Sequence, residues 1–277
     1  MPHFWRGDSD IQTILTIAGF DPSSGAGITA DLAVIAAHGF FGTSAITALT
    51  VQSTLGVRGT HAAKPSILRE TLRFLNEDIV PDGVKIGMLS TSGNAEAVAD
   101  FLHQLHEMGN KPIVVLDPVL RSSSGRELLG RGGIDTMIKR LLPLVDWITP
   151  NFAELGVLGK VKTSADSEVE LASSRLSEQF PDLNLVATGG DGDSANDLIT
   201  LANGSQTWLR GVKIASRSTH GTGCAFSTAL LCNLVAGRGG VEAAGEAKKF
   251  VAEAIRQAEP IGHGIGPMNL LWPLRNG

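Results

Sequence analysis

Short apolar and β-branched runs alternate with longer helical patterns along most of this 277-residue chain. The runs Thr13 to Ala18, Thr43 to Val51, Gly83 to Ile86, Ile113 to Leu116, Trp147 to Thr149 and Leu183 to Thr188 have the length and residue types of strands. Between them, Ala26 to Ala37, Ser66 to Asn76, Asn94 to Met108, Glu127 to Leu141 and Glu168 to Gln179 have helical length and spacing. Such alternation predicts βαβ units around a parallel sheet. Asp197 to Leu201 and Ser205 to Leu209 flank Ala202-Asn203-Gly204 and predict a hairpin, so the sheet is expected to be mixed at one edge. Two helices, Ala225 to Val235 and Val241 to Gln257, are expected to close the chain. No Pro- or Ser-rich linker and no repeat divides it, so the expectation is a single α/β domain over 11–270 with residues 1–10 as an N-terminal extension.

Composition adds a question to that picture. There are 33 glycines, well above the usual ~7%, and only 18% of residues are charged, below the usual ~25%. A chain this apolar and glycine-rich is neither disordered nor collagenous. It buries its elements on both faces and places its glycines in turns, as layered α/β proteins do. The net charge of -5 comes without a Lys/Arg block. That leaves no electrostatic footprint for nucleic acid or an anionic membrane, and favours a small-molecule partner. The chain has no long uninterrupted apolar run, and Met1 to Asp10 has neither a basic nor an apolar leader segment, so a cytoplasmic protein is expected. Cys224 and Cys232, eight positions apart on a predicted helix, would stand ~12 Å apart, too far for a disulfide.

In an open parallel sheet the functional loops leave the carboxyl ends of strands. After the first strand comes Gly19-Phe20-Asp21-Pro22-Ser23-Ser24-Gly25-Ala26-Gly27, opening a helix that carries Asp31. Its bare backbone permits close approach of a ligand, with Asp21 or Asp31 as acceptors. Gly25-Ala26-Gly27-Ile28-Thr29-Ala30 matches a loose dinucleotide fingerprint, but no acidic residue follows about 20 positions later, so that reading is set aside. Ser218-Thr219-His220-Gly221-Thr222-Gly223-Cys224 precedes an apolar helix. Amides at such a helix start form an anion hole, and the same field is expected to lower the Cys224 thiol pKa, making it a candidate base or nucleophile. Asp117, in Leu116-Asp117-Pro118-Val119, and Asn151 with Glu154 supply oxygen ligands suited to Mg²⁺. Asn151 and Glu154 also fit a capping box, and the two roles can coexist. Thr188-Gly189-Gly190-Asp191-Gly192-Asp193 could approach a nucleotide phosphate. Arg121 to Gly125 is either a lid or a polar loop, and His103 and His106 are expected to be exposed.

Taken together and in order, Thr16 to Asp31, Lys85-Ile86-Gly87-Met88-Leu89, Asp117-Pro118-Val119, Thr149-Pro150-Asn151 with Glu154, Thr219 to Cys224 and Gly264-Ile265-Gly266-Pro267 closely resemble the hydroxymethylpyrimidine/phosphomethylpyrimidine kinases of thiamine biosynthesis, in the ribokinase-like superfamily. The resemblance implies a three-layer α/β/α fold with a mainly parallel sheet, ATP and Mg²⁺ as cofactors, and a homodimer. It implies phosphorylation of 4-amino-5-hydroxymethyl-2-methylpyrimidine and then of its monophosphate. By motif, Gly19 and Asp31 would line the pyrimidine pocket with Met88 and Val119 as apolar walls. Gln52 takes the position of the family's Glu or Gln that pairs with the pyrimidine amino group and ring nitrogen. Asp117, Asn151 and Glu154 would organise Mg²⁺ and its waters, and Thr188 and Gly190 would lie at the nucleotide phosphates. The amides of Gly221, Thr222, Gly223 and Cys224 would hold the migrating phosphoryl group, and Cys224 would take the alcohol proton. Two positions depart from the family pattern. Arg121-Ser122-Ser123-Ser124-Gly125 stands where many members have Val-Ala-Lys-Ser-Gly, and Thr188 stands where a Lys often precedes the Gly pair. Pyridoxal kinase activity on the same fold is the nearest rival, and an inactive nucleotide- or vitamin-binding module the more distant one.

Overall fold

The computed structural model describes residues 11–121, 125, 127–189 and 195–275. The proposed N-terminal extension, Ser122 to Ser124 and Gly190 lie outside them. Among the described residues nine strands form one sheet: β1 (Thr13–Phe20), β2 (Phe41–Ser53), β3 (Gly56–Ala62), β4 (Gly83–Ile86), β5 (Ile113–Leu116), β6 (Trp147–Ile148), β7 (Asn184–Thr188), β8 (Asp197–Thr200) and β9 (Gln206–Leu209). Their order across the sheet is β3-β2-β1-β4-β5-β6-β7-β8-β9. The six from β2 to β7 run parallel, while β3 at one edge and β8 and β9 at the other are antiparallel. The helices are α1 (Gly27–Ala37), α2 (Pro65–Asp78), α3 (Ser92–Glu107), α4 (Arg131–Thr136), α5 (Phe152–Gly159), α6 (Asp166–Gln179), α7 (Thr222–Val235) and α8 (Gly240–Arg256).

Strand alternation divides the core into two layers. Leu15, Ile17, Val84, Ile86, Val114 and Leu116 face α2, α3, α5 and α6. Ile14, Val115, Val186 and Ile199 face α1, α7 and α8. The result is the three-layer α/β/α arrangement expected from the resemblance. Helix α7 is buried from Ala225 to Leu234 because it is apolar all round and lies against β4, β5, α1 and α8. Helix α2 is instead amphipathic: Leu68 and Leu72 are buried, and Pro65 at its start needs no amide partner.

Two elements differ from the sequence expectation. The helix predicted over Glu127 to Leu141 begins only at Arg131, and its second half, Met137–Leu141, is a π-helical turn. Glu127 is instead bridged to Arg121, and the Gly130, Gly132 and Gly133 cluster weakens helix nucleation. Strand β3 was not expected, since Gly56-Val57-Arg58-Gly59-Thr60-His61-Ala62 lacks an apolar alternation. Its antiparallel pairing to β2 holds it, so the sheet is mixed at both edges rather than one.

Thr16 and Lys85 sit on the α1/α7 face of β1 and β4, and Lys85 is a charged residue with no exposed surface. Its Nζ donates to Asp31 of α1 at 2.9 and 3.1 Å. Thr16 Oγ1 donates to the same carboxylate at 2.6 Å, and Thr228 Oγ1 of α7 at 2.9 Å. Burial opposes the Lys85 charge, but the Asp31 carboxylate, helped by Asp117, holds the amine above its ordinary range. Removing one partner of a buried pair strands the other's charge, at a cost of roughly 3–5 kcal/mol. Lys85→Met should therefore lower the unfolding free energy by that amount in a urea titration. A loss below ~1 kcal/mol would mean the pair is dispensable.

Candidate active site

All the parallel strands deliver their carboxyl ends to one edge of the sheet, where a cavity opens. Gly19, Gln52, Met88, Asp117, Val119, Asn151, Glu154, Thr188 and the Gly221 to Cys224 turn all line it. The sheet order reverses direction around β1, which is where an open α/β sheet opens a crevice for ligands.

At the centre is the start of α7. Gly221 is its N-cap, with φ of 80°, and a side chain there would collide with the Gly25 carbonyl. Only glycine combines that left-handed backbone with so close an approach. Among the described residues no side chain caps the helix, so the amides of Thr222, Gly223 and Cys224 are available to an anion, with the helix dipole behind them. Asp117 stands close by: a Cβ built on Gly223 would lie 3.9 Å from its Oδ2. Burial, followed by the Asp31 charge, raises the Asp117 carboxyl to about 6, while Lys85 and the Cys224 and Ser227 side chains pull the other way.

Cys224 contradicts the expected thiolate. It keeps part of its surface open to the cavity, yet burial pushes its thiol up to about 12, and the Asp117 and Asp31 carboxylates add to the rise. Lys85 opposes them without overcoming them. The resting side chain is a neutral thiol, because the helix field is outweighed by desolvation and two nearby anions.

Beyond α7 lie the turns after β6 and β7. Asn151 Oδ1 accepts from the Glu154 amide at 2.9 Å, and Glu154 Oε2 accepts from the Asn151 amide at 3.0 Å, which is the capping box. Glu154 Oε1 accepts from the Leu120 amide at 3.1 Å, tying the β5 turn to α5. Thr188 is bridged to Asn151. The next amide, Gly189, donates to Asp197, whose carboxylate is also held by Lys248 at 2.6 Å. Lys248 was not singled out from the sequence: its partners lie on β8 and β9, some 40 to 50 positions away. Among the described residues no group of three or more His, Cys, Asp or Glu converges as a metal site. Asp117 and Glu154 are nevertheless an oxygen donor set of the kind Mg²⁺ takes when it keeps waters and phosphate oxygens as its other ligands.

On the opposite side, Gly19, Met88 and Val119 present small or apolar surface beside the polar group Gln52, His220 and Asp21. Asp31 does not belong there. It has no exposed surface, and Lys85, Thr16 and Thr228 occupy its carboxylate, so its role is inside the fold rather than in the pocket. Asp21 is likewise engaged, by Ser23, Ala26 and His220. His220 was not singled out either, although its imidazole lies within the glycine-rich turn that opens α7. His103 and His106 are exposed, as expected, and both cysteines are free.

A neutral Cys224 makes a kinetic prediction for the unliganded protein. Alkylation of Cys224 by iodoacetamide, followed by mass spectrometry, should be slow at pH 7.5. It should accelerate about tenfold per pH unit up to pH 10, because only the thiolate reacts. A rate already at plateau near pH 7 would show a lowered pKa instead.

The phosphomethylpyrimidine kinase family profile matches residues 21–269. A hydroxymethylpyrimidine/phosphomethylpyrimidine kinase of Haemophilus influenzae is 37% identical over 94% of this chain and 97% of its own length. Among solved structures, a phosphomethylpyrimidine kinase of Clostridium difficile superposes with a TM-score of 0.75 at 32% identity, covering 88% of this chain and 99% of that one. A pyridoxal kinase of Staphylococcus aureus, in complex with AMP-PCP and pyridoxal, gives a TM-score of 0.83 at 27% identity, covering 95% and 94%. The shared profile from the Asp21 turn to the end of the α/β/α core places this chain in the phosphomethylpyrimidine kinase family.

Proposed function

We propose that this protein transfers the γ-phosphoryl group of ATP to the hydroxymethyl group of 4-amino-5-hydroxymethyl-2-methylpyrimidine, and a second one to the resulting monophosphate, in thiamine biosynthesis. The observation that carries the reading is the continuity of one cavity. An amide-bearing pocket at Gln52, Met88 and Val119 meets the uncapped start of α7, which meets the Asn151 and Thr188 turns. A pyrimidine and a nucleotide placed at the two ends would bring hydroxyl and γ-phosphate together at Gly221 to Cys224.

Phosphoryl transfer through a loose transition state needs positioning and charge stabilisation more than covalent chemistry. The Thr222, Gly223 and Cys224 amides would hold the migrating group's oxygens. Glu154, with Asn151 beside it, would hold hydrated Mg²⁺, which when bound offsets phosphate charge, leaving the Asp117 carboxylate to take a proton. Because the Cys224 thiol is neutral, it accepts the alcohol proton as part of a relay: the hydroxyl proton passes to Sγ as the thiol's own proton passes to Asp117. Met88 and Val119 exclude water from the ring side.

A coupled ADP-release assay with the pyrimidine, its monophosphate and pyridoxal side by side tests the reading. Turnover of the two pyrimidines is expected. Turnover of pyridoxal alone would replace it with the rival vitamin kinase, and turnover of none would favour a binding module. Cys224→Ser should reduce the first step by about 10²–10⁴-fold and the second much less, since a phosphate acceptor is already ionised. Equal losses would remove Cys224 from the proton path.

We further propose a homodimer built on the outer face of β2 and its hairpin. Leu49, Val51 and Leu55 are 54, 50 and 70% exposed there, and Ile46 extends the same apolar surface. Exposed apolar groups gathered on an edge hairpin are the usual mark of a partner surface. Leu49→Asp combined with Val51→Asp should convert a dimer into a monomer in light scattering. A wild type that is monomeric at tens of micromolar would overturn the assignment.

A further inference from the structure

We propose that Asp21 and His220 act as positioning residues that set which way the Gln52 amide faces, and so decide which ring edge the cavity accepts. The inference rests on the pyrimidine pocket assigned above and concerns residues to which no role has been given in it.

The three side chains come from distant parts of the chain. Asp21 lies in the turn after β1, Gln52 near the end of β2 and His220 just before α7. His220 is anchored through its own amide, which donates to the Gly266 carbonyl at 3.1 Å, and its ring packs so closely on Gly25 that a side chain there would overlap it. The Asp21 carboxylate is fully committed. Oδ1 accepts from the Ser23 amide at 2.9 Å and the Ser23 hydroxyl at 2.7 Å, and Oδ2 accepts from the Ala26 amide at 3.0 Å. The same Oδ2 lies 2.8 Å from His220 Nε2. Burial works against the Asp21 charge, but the His220 and Ser23 hydrogen bonds outweigh it and hold the carboxyl below its ordinary value.

An ionised carboxylate can only accept, so His220 Nε2 must carry a proton and donate it to Asp21. This has a consequence for Gln52, whose Nε2 stands 2.9 Å from the same His220 Nε2. In that geometry a donor faces a donor. The two ends of an amide have the same shape, and hydrogen bonding decides which one faces a given neighbour. A half-turn of the amide relieves the conflict: Oε1 shares the imidazole N–H, and the NH₂ group turns into the cavity. Gln52 then offers an N–H donor to a ring nitrogen and keeps a second Oε1 lone pair for an adjacent amino group. The ligand class this selects is a neutral heteroaromatic ring with an acceptor nitrogen next to an exocyclic amine. Asp21 thus acts through His220, and His220 through Gln52, without either needing to touch the ring.

Two measurements test this, and one needs no substrate. In long-range ¹⁵N–¹H spectra of histidine-labelled, unliganded protein, the signals absent from His220→Phe identify His220. They should show the proton on Nε2, and a ring protonated only on Nδ1 would overturn the proposal whatever the protein phosphorylates. In kinetics with the aminopyrimidine, His220→Phe keeps an aromatic ring over Gly25 and should raise KM about tenfold, the worth of one mispaired hydrogen bond, while kcat falls less than threefold. On a Gln52→Ala background the same substitution should raise KM less than twofold further, because the group it positions is gone. A further tenfold rise on that background would show that His220 acts independently of Gln52 and would overturn the proposal.

Discussion

The site is organised around a charge pair that never meets solvent. Lys85 and Asp31 join β4 to α1, and Thr16 and Thr228 tie the same carboxylate to β1 and α7. A pair this dry gains little net energy over an apolar replacement, but it penalises every arrangement in which the two charges fail to meet. A one-residue slip of β4 would turn Lys85 to the opposite face of the sheet, away from Asp31. The pair therefore pins the register of the strands and helices that carry the pocket. It also sets the electrostatics just above it, where Lys85 favours and Asp31 disfavours the charged forms of Asp117 and Cys224.

Much of the fold could be read from the chain because its central strands are short, apolar and bounded by turns. Gly83–Ile86 and Ile113–Leu116 have the expected boundaries for that reason. What escaped prediction depended on distant partners. Strand β3 exists because β2 pairs with it, and α4 starts only at Arg131 because Glu127, where the helix was expected to begin, is bridged to Arg121. The site shows the same division. The turns bearing Asp117, Asn151, Glu154 and Gly221 to Cys224 were visible as glycine- and acid-bearing segments after strands. The environment of each group was not. Asp31 looked like an acid at a ligand loop until Lys85, 54 positions away, was found against it. Cys224 looked like an activated thiol until its burial and the neighbouring carboxylates were weighed together.

The low charge of the chain has a structural counterpart. Lys248, half-buried on α8, is paired with Asp197, and Lys85, beneath the centre of the cavity, with Asp31. Each holds protein against protein, with its charge already matched. In the proposed reaction, anion recognition at the start of α7 would be left to backbone amides and the helix dipole, which cannot be displaced or deprotonated and which suit a group that must move. Glycines at that turn thus serve a chemical purpose as well as a geometric one.

Burial of Cys224 carries both an advantage and a constraint. A neutral thiol resists alkylation and oxidation, whereas a low-pKa thiolate beside a wide cavity would be exposed to both. The constraint is that a neutral thiol cannot serve as a free base near neutral pH. In the proposed reaction, proton acceptance at Sγ has to be coupled to proton release from Sγ, and the nearby Asp117 carboxylate would supply the other end of that exchange. The coupling makes the two residues one functional unit, positioned by α7 and β5 and biased by the ion pair beneath them.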